Sequence, residues 1–393
     1  MESRSLHQAW VIQNTLYYDS SRGCLVAGDI EIEGGRIARI APPRRSRLKD
    51  RFDGEPFVCL PGRVGTALTR RQTGGGYAAA EDHPWPLPVD DGMSGISGSA
   101  TEARELFRVL VSAVLRGYTT LCVFAADVPS TTHLAQAAGL RVALHMTCSD
   151  RWLGEGSGPV QQPWDIFQRS YSHHLDGRES DTLRLGLGIG SQLCVSPTLT
   201  VRLHRLARES GRRLLVRVDD GRPYFRNFQD AYACSGIQLL DNLGVLDVFT
   251  TLVLDRLPGG TDGRIVGRSG ASVIVDGHID GTVSHMACWH SGADQDETLS
   301  NVAQETVDGL AWNRAQAIGL DGVGRIEANA CADIRFHARG SIADRTRTAG
   351  GGFSRVLGDL PIHVLVNGCW AVKARRCRNI VPRNFGIQAV ATT

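Results

Sequence analysis

From Trp10 to Tyr18 the chain is rich in β-formers, and Asp29-Ile30-Glu31-Ile32-Glu33 alternates polar with apolar up to Gly34-Gly35. Arg36-Ile37-Ala38-Arg39-Ile40 alternates again, which predicts a hairpin with one face in solvent. The polar, basic stretch from Pro42 to Glu55 reads as a loop. From Phe57 the pattern changes to short apolar runs followed by amphipathic segments. Strands are predicted at Phe57–Leu60, Thr119–Phe124, Arg141–His145, Leu183–Leu187, Arg213–Val218, Phe249–Leu254 and Ser272–Val275. Helices are predicted from Thr101, over Pro197–Ser210, over Phe228–Leu243 and along Leu299–Ile318.

Strands alternating with helices imply a parallel sheet, and the number of repeats favours a closed (β/α)8 TIM-like barrel of the α/β class. Hairpin character returns at Gly324–Glu327, Ala332–Phe336 and Ile362–Val372. The last of these turns at Asn367-Gly368, the preferred pair for a type I′ turn. Residues 1–56 and 321–393 are therefore expected to build one small β-sandwich around a barrel of residues 57–320.

Composition adds little and removes several classes. A net charge of +2 gives no reason to expect nucleic acid. No apolar run approaches the ~18 residues of a membrane span, and the first residues lack the apolar stretch of a secretory leader. A cytoplasmic protein without a membrane partner is the expectation. The ten cysteines are scattered singly with no CxxC pair, which removes zinc-knuckle and thioredoxin-like readings. Lys49 and Lys373 are the only lysines. The predicted barrel thus has no residue to form a Schiff base or a carbamate bridge between two metals.

Several landmarks in this order resemble the amidohydrolase superfamily, in particular its cytosine deaminase and chlorohydrolase-like branch. They are Glu33-Gly34-Gly35-Arg36-Ile37, Leu60-Pro61-Gly62, Leu115 to Thr120, Val195-Ser196-Pro197, Ser269 to Val273, Gly324-Arg325-Ile326 with Ala332-Asp333, and Val366-Asn367-Gly368. The resemblance covers nearly the whole chain and implies hydrolysis of non-peptide C–N bonds at a divalent metal. It breaks at the ligands. Ala67 and Thr69 stand where it implies the first-strand histidine pair, Arg217 where it implies the fifth-strand histidine, and Asp255 where it implies the sixth-strand histidine. Asp220 matches the proton-shuttling glutamate. The eighth-strand aspartate corresponds to Asp276 or Asp280, with His278 between them. The chain is short here, and a strand is missing or rewritten around Val283–Trp289. A guanidinium keeps its proton and cannot ligate a metal, so no metal is expected unless zinc or iron has relocated ligands such as Asp276, His278 and Asp280.

Each candidate has two readings. Arg217 is either a fixed cation replacing the metal, able to bind a carboxylate, phosphate or carbonyl oxygen, or the neutralising partner of Asp255. Asp220 is a general base or a solvated carboxylate; His145 faces the same barrel mouth or is a satisfied core histidine. His173-His174 and Trp289-His290 are poor chelates because neighbours on regular structure diverge. The glycine-rich runs Pro258–Gly263 and Gly74–Gly76 lack a phosphate-loop ending and read as turn and loop. Three functions follow. The leading one is a non-hydrolytic pseudoenzyme or small-molecule-binding subunit, either homodimeric or complexed with an active relative. The others are a metal-independent cyclase, lyase or isomerase using Arg217 with Asp220, Asp255 or His145, and a C–N hydrolase with relocated ligands.

Overall fold

The computed structural model describes residues 9–68, 110–125, 128–150, 163–190, 195–218, 232–254, 257–276, 286–290, 307–340 and 360–378, with 107, 192 and 229 singly. In chain order the strands are β1 (Trp10–Asp19), β2 (Cys24–Glu33), β3 (Arg36–Ala41), β4 (Arg51–Asp53), β5 (Phe57–Pro61), β6 (Arg63–Leu68), β7 (Tyr118–Ala125), β8 (Arg141–Thr147), β9 (Leu183–Ile189), β10 (Leu214–Arg217), β11 (Thr250–Leu254), β12 (Ser272–Asp276), β13 (Met286–His290), β14 (Ile334–Ala338), β15 (His363–Val366), β16 (Cys369–Lys373) and β17 (Arg376–Cys377). The helices are α1 (Val128–Ala138), α2 (Trp164–Arg178), α3 (Pro197–Glu209), α4 (Gly236–Asn242), α5 (Gly260–Ser269) and α6 (Trp312–Ala317).

The two chain ends share one nine-stranded sheet, ordered β17-β16-β15-β14-β5-β1-β2-β3 with β4 paired to β1. Trp10, Ile30 and Ile37 from one half share a buried cluster with Phe336 and Leu365 from the other, so the sheet wraps round its own core. Trp370 packs there at a tilt against Trp10 and Phe52, at centroid distances of 5.8 and 4.8 Å. Both predicted turns form. Gly34 and Gly35 have φ of 58° and 79°, and Asn367 and Gly368 have φ of 51° and 72°, the positive pair a type I′ turn requires. Two boundaries differ from expectation. Arg51–Asp53 adds a strand inside the expected loop, and Phe57–Pro61 pairs with β1 and β14, so it belongs to the end sheet and not to the barrel. The chain crosses between the sheets at Gly62, where a Cβ would lie 2.1 Å from Thr119 Oγ1.

The second sheet runs β6 through β13 in sequence order, with neighbouring strands parallel from β6 to β12. Its outward side chains, such as Val123, Leu144, Leu187, Val216, Leu252 and Val273, pack on helix residues including Leu134, Phe167, Leu203, Ile237 and Val266. Its inward side chains, among them Cys122, Ala143, Leu215, Val253 and Ile274, pack on Ala315, Ala317, Ile318 and Leu320. The α6 segment thus fills the concave face, where Arg314 Nη1 donates to the Val64 carbonyl at 3.0 Å and Thr251 Oγ1 to that of Ala317. Among the described residues no eighth parallel strand follows β12. β13 turns back antiparallel to β12, inside the region expected to be rewritten, and α6 contacts both edge strands, β6 and β13. The predicted helix over Phe228–Leu243 is interrupted: Gln229 and Tyr232 are helical, Ala233 then turns at φ of 53°, and α4 follows. Ser235 caps α4 with its hydroxyl and Gln238 completes a capping box, so the helix begins at Gly236.

Two buried arginines at the junction of the sheets have opposite energetics. Arg141, first in β8, holds Asp333 in a fork with contacts of 2.9 and 3.2 Å, and Asp333 also accepts from Asn367 N at 2.7 Å. Burial alone would lower the Arg141 pKa, but the charge and hydrogen bonds of Asp333 raise it instead. Arg335 is as deeply buried; among the described residues it donates only through Nε, to the Pro61 carbonyl at 3.1 Å, and neither Nη has a hydrogen-bond partner. Desolvation and the nearby Arg63 charge push its pKa far down. Asp333→Ala should therefore lower unfolding free energy by about 3–5 kcal/mol, leaving Arg141 buried without its counter-charge. Arg335→Met should raise it by about 1 kcal/mol or more. Urea titration of the two variants tests both signs.

Candidate functional site at the inner face of the barrel

Alternation along the strands determines which side chains face inward. On β10, Leu215 belongs to the inner cluster, so Arg217 two residues on points the same way, and it is 3% exposed. On β11, Thr251 and Val253 share that inward phase. On β8 it falls to Ala143 and His145. Ala67 lies within β6, and Asp276 ends β12 opposite Met286. Thr69, Asp220, Asp255, His278 and Asp280 lie outside the described residues. Among the described residues no three His, Cys, Asp or Glu side chains gather as a metal site would require.

His145 and Arg217 are not neighbours at one mouth. His145 pairs with Gly186, and Leu187 with Leu214, so His145 stands level with Arg213 in the register. Arg217 lies four residues farther along, roughly 13 Å at the usual strand rise. Helix-linked strands present their C-terminal ends to the usual catalytic mouth, so Arg217 is at that end and His145 deep toward the other. Space for its ring comes from β9, where a Cβ on Gly186 would lie 2.7 Å from His145 Nδ1 and one on Gly188 would strike Phe124 at 2.5 Å. Nδ1 lies 3.1 Å from the Leu187 carbonyl. Burial pushes the pKa down to about 4, against a smaller upward pull from that hydrogen bond. The ring is neutral at pH 7, Nδ1–H donates, and Nε2 remains an acceptor.

At the C-terminal end, the loop after β9 contributes Gln192, whose Nε2 donates to the Gly236 carbonyl at 3.1 Å and joins this loop to α4. Asp150, beyond β8, accepts from Ser196 N at 2.6 Å and from the Ser196 hydroxyl, locking the start of α3. Sequence reading missed Gln192 and Asp150. Both act through partners distant in sequence, and no local pattern marks them. The signal that was available is alternation, which puts Arg217 on the inner face as soon as Leu215 is known to be there.

Solved structures with this fold are amidohydrolase-superfamily members. The zinc-complexed atrazine chlorohydrolase of Arthrobacter aurescens TC1 superposes with a TM-score of 0.71 at 14% identity, over 96% of this chain and 98% of that one. An adenosine deaminase from Xanthomonas campestris with bound zinc gives 0.70 at 13% identity, covering 96% of each chain. An amidohydrolase from a Sargasso Sea environmental sample gives 0.65 at 15%, again over 96% of each. No family model matches the sequence, and no curated protein matches it significantly. The chain shares the TIM-like barrel fold of these proteins.

The depressed His145 pKa has a defined sign in stability. An unfolded histidine takes up its proton near pH 6.5, the folded one only near 4. The stabilising effect of the neutral ring is complete above pH 6.5 and is lost as pH falls toward 4. Across that window His145 should contribute a slope of up to about 1.4 kcal/mol per pH unit. Urea unfolding of wild type and His145→Gln between pH 7 and 4.5 should show a shallower loss in the variant; parallel curves would refute the assignment.

Proposed function

We propose that this chain is a divergent amidohydrolase-superfamily protein that binds a small molecule and does not carry out metal-dependent hydrolysis of C–N bonds. The observation that carries the reading is Arg217, buried on the inward face at the C-terminal end of β10, where the resemblance calls for a metal-binding histidine. The residues do not fit a metal. A guanidinium has no lone pair to offer, keeps its charge at any working pH, and repels a divalent cation at short range. A fixed fork of donors in a partly desolvated site suits a carboxylate, phosphate or polarised carbonyl oxygen. Zinc is bound by the chlorohydrolase and the adenosine deaminase that share the fold. That fact supports the ancestry of the site and not its present chemistry.

A second reading uses the same residue. If Asp220 or Asp255 stands beside it, Arg217 is the electrophile of a metal-independent cyclase, lyase or isomerase. Both readings require Arg217 to remain accessible from the barrel mouth, and both forgo the metal. No helix among the described residues is long and apolar enough to cross a membrane.

Elemental mass spectrometry of protein purified without chelators tests the proposal directly. The expected result is zinc and iron far below one equivalent, in wild type and after zinc reconstitution alike. One tightly held equivalent in the wild type would overturn it and return the chain to the hydrolases, with Asp255, Asp276, His278 and Asp280 as the ligands to substitute. Arg217→His provides the control, since it restores one donor without restoring the remaining ligand set.

A further inference from the structure

Where the chain crosses from the end sheet to the barrel sheet, a guanidinium with unmatched donors lies beside the crossing. Arg335 is the second residue of β14, and its Nε meets the carbonyl of Pro61, the last residue of β5, at 3.1 Å. Ile334 and Phe336 turn into the core of the end sheet, so Arg335 and His337 share the other face. The residues paired with Arg335 across the sheet, Leu60 and Val364, are wholly buried apolar side chains. Arg335 itself is 1% exposed, and among the described residues neither Nη has a hydrogen-bond partner. His337, on the same face, has a buried Nε2 that also lacks one among the described residues.

Neither carboxylate near the junction serves this face. Asp333 is committed to Arg141 and to Asn367 N, and both oxygens of Asp308 are taken, by the hydroxyls of Tyr18 and Ser20. The groups that act on the Arg335 charge are Arg63, of the same sign, and Tyr118. Burial, followed by the Arg335 and Arg63 charges, holds the His337 pKa down to about 2, so that ring adds no charge of its own. The surroundings of the Arg335 stem are close-packed. A Cβ on Gly117 would lie 3.1 Å from Arg335 Cδ and 3.2 Å from Pro361 Cγ. A buried guanidinium with four unmatched N–H groups calls for an acceptor that carries negative charge. Packing this tight favours one atom over a carboxylate or an oxyanion.

We propose that Arg335 holds a single chloride ion at the junction of the two sheets, the ion accepting hydrogen bonds from Nη1 and Nη2. One monovalent ion matches the one guanidinium. Bound there, it supplies to Arg335 what Asp333 supplies to Arg141, so the junction is joined by two charge pairs, one built into the chain and one taken from solution. The site is separate from Arg217 and stands whether or not the proposal for that residue holds.

Thermal unfolding of the full chain, with gluconate exchanged for chloride at constant ionic strength, tests the assignment without a change in screening. The wild-type midpoint should rise by about 2 °C or more between 1 and 200 mM chloride, as expected for a ligand bound only by the folded state. Arg335→Met should be the more stable protein in gluconate and should gain nothing from chloride. Sulfate should not separate the two proteins. A chloride response absent from wild type, or equal in the variant, would overturn the proposal, and a sulfate response matching that of chloride would overturn the choice of a monatomic ion. Crystals of the wild type grown in bromide locate the site even if the variant fails to fold. An anomalous peak at hydrogen-bonding distance from the Arg335 Nη atoms is expected, and its absence there would refute the site.

Discussion

The buried fork between Arg141 and Asp333 holds the two halves of this molecule in one geometry. Arg141 opens β8 of the barrel sheet, and Asp333 immediately precedes β14 of the end sheet. The same carboxylate anchors the Asn367 turn, and the Asp333 carbonyl receives Gly62 N at 2.9 Å where the chain passes from one sheet to the other. Ala332 adds bonds to both type I′ turns, accepting from Gly368 N and donating to the Gly35 carbonyl. Two residues thus tie segments separated by some three hundred positions. Neither charge could remain there without the other, because the desolvation each suffers is offset only by the partner at hydrogen-bonding distance.

With that junction in place, the face of the barrel sheet decides where chemistry is possible. The outward face is closed by helices and the concave face by the α6 segment, whose Ala315, Ala317, Ile318 and Leu320 pack against strand residues from β6 to β12. Among the described residues, a core so filled through its middle leaves room toward the strand ends. Arg217 stands at one end, and His145 lies deep toward the other.

Much of this was legible in the sequence, and what was legible was local. Asn367-Gly368 and Gly34-Gly35 declared their turns because positive φ at two successive residues is expensive for most side chains. The strands from Thr119 to Val275 announced themselves as apolar runs, and the helix from Pro197 by its amphipathic spacing, with Ser196 capping it in the structure. The failures were of another kind. The antiparallel return of β13 depends on which strand Met286–His290 finds as a neighbour, and the break before α4 depends on the turn at Ala233 and a capping box at Ser235 that interrupt one helical pattern. Sequence reading leaves His145 either at the mouth with Arg217 or as a satisfied core histidine, because a strand pattern does not fix depth along the barrel. Only the register between β8, β9 and β10 shows that they stand on different levels.

The same distinction separates the framework of the fold from the positions that the proposed function concerns. The fork at Asp333, the apolar layers on both faces of the barrel sheet and the bonds from Ala332 to the two turns involve no position that the resemblance assigns to metal binding. Nothing in that framework weakens when Arg217 stands where a histidine is expected. A buried arginine in turn demands an anion or a ring of acceptors, so its arrival redefines what the site can recognise. On the proposed function, loss of the metal and gain of a preference for anionic or carbonyl oxygen follow from the same substitution at position 217.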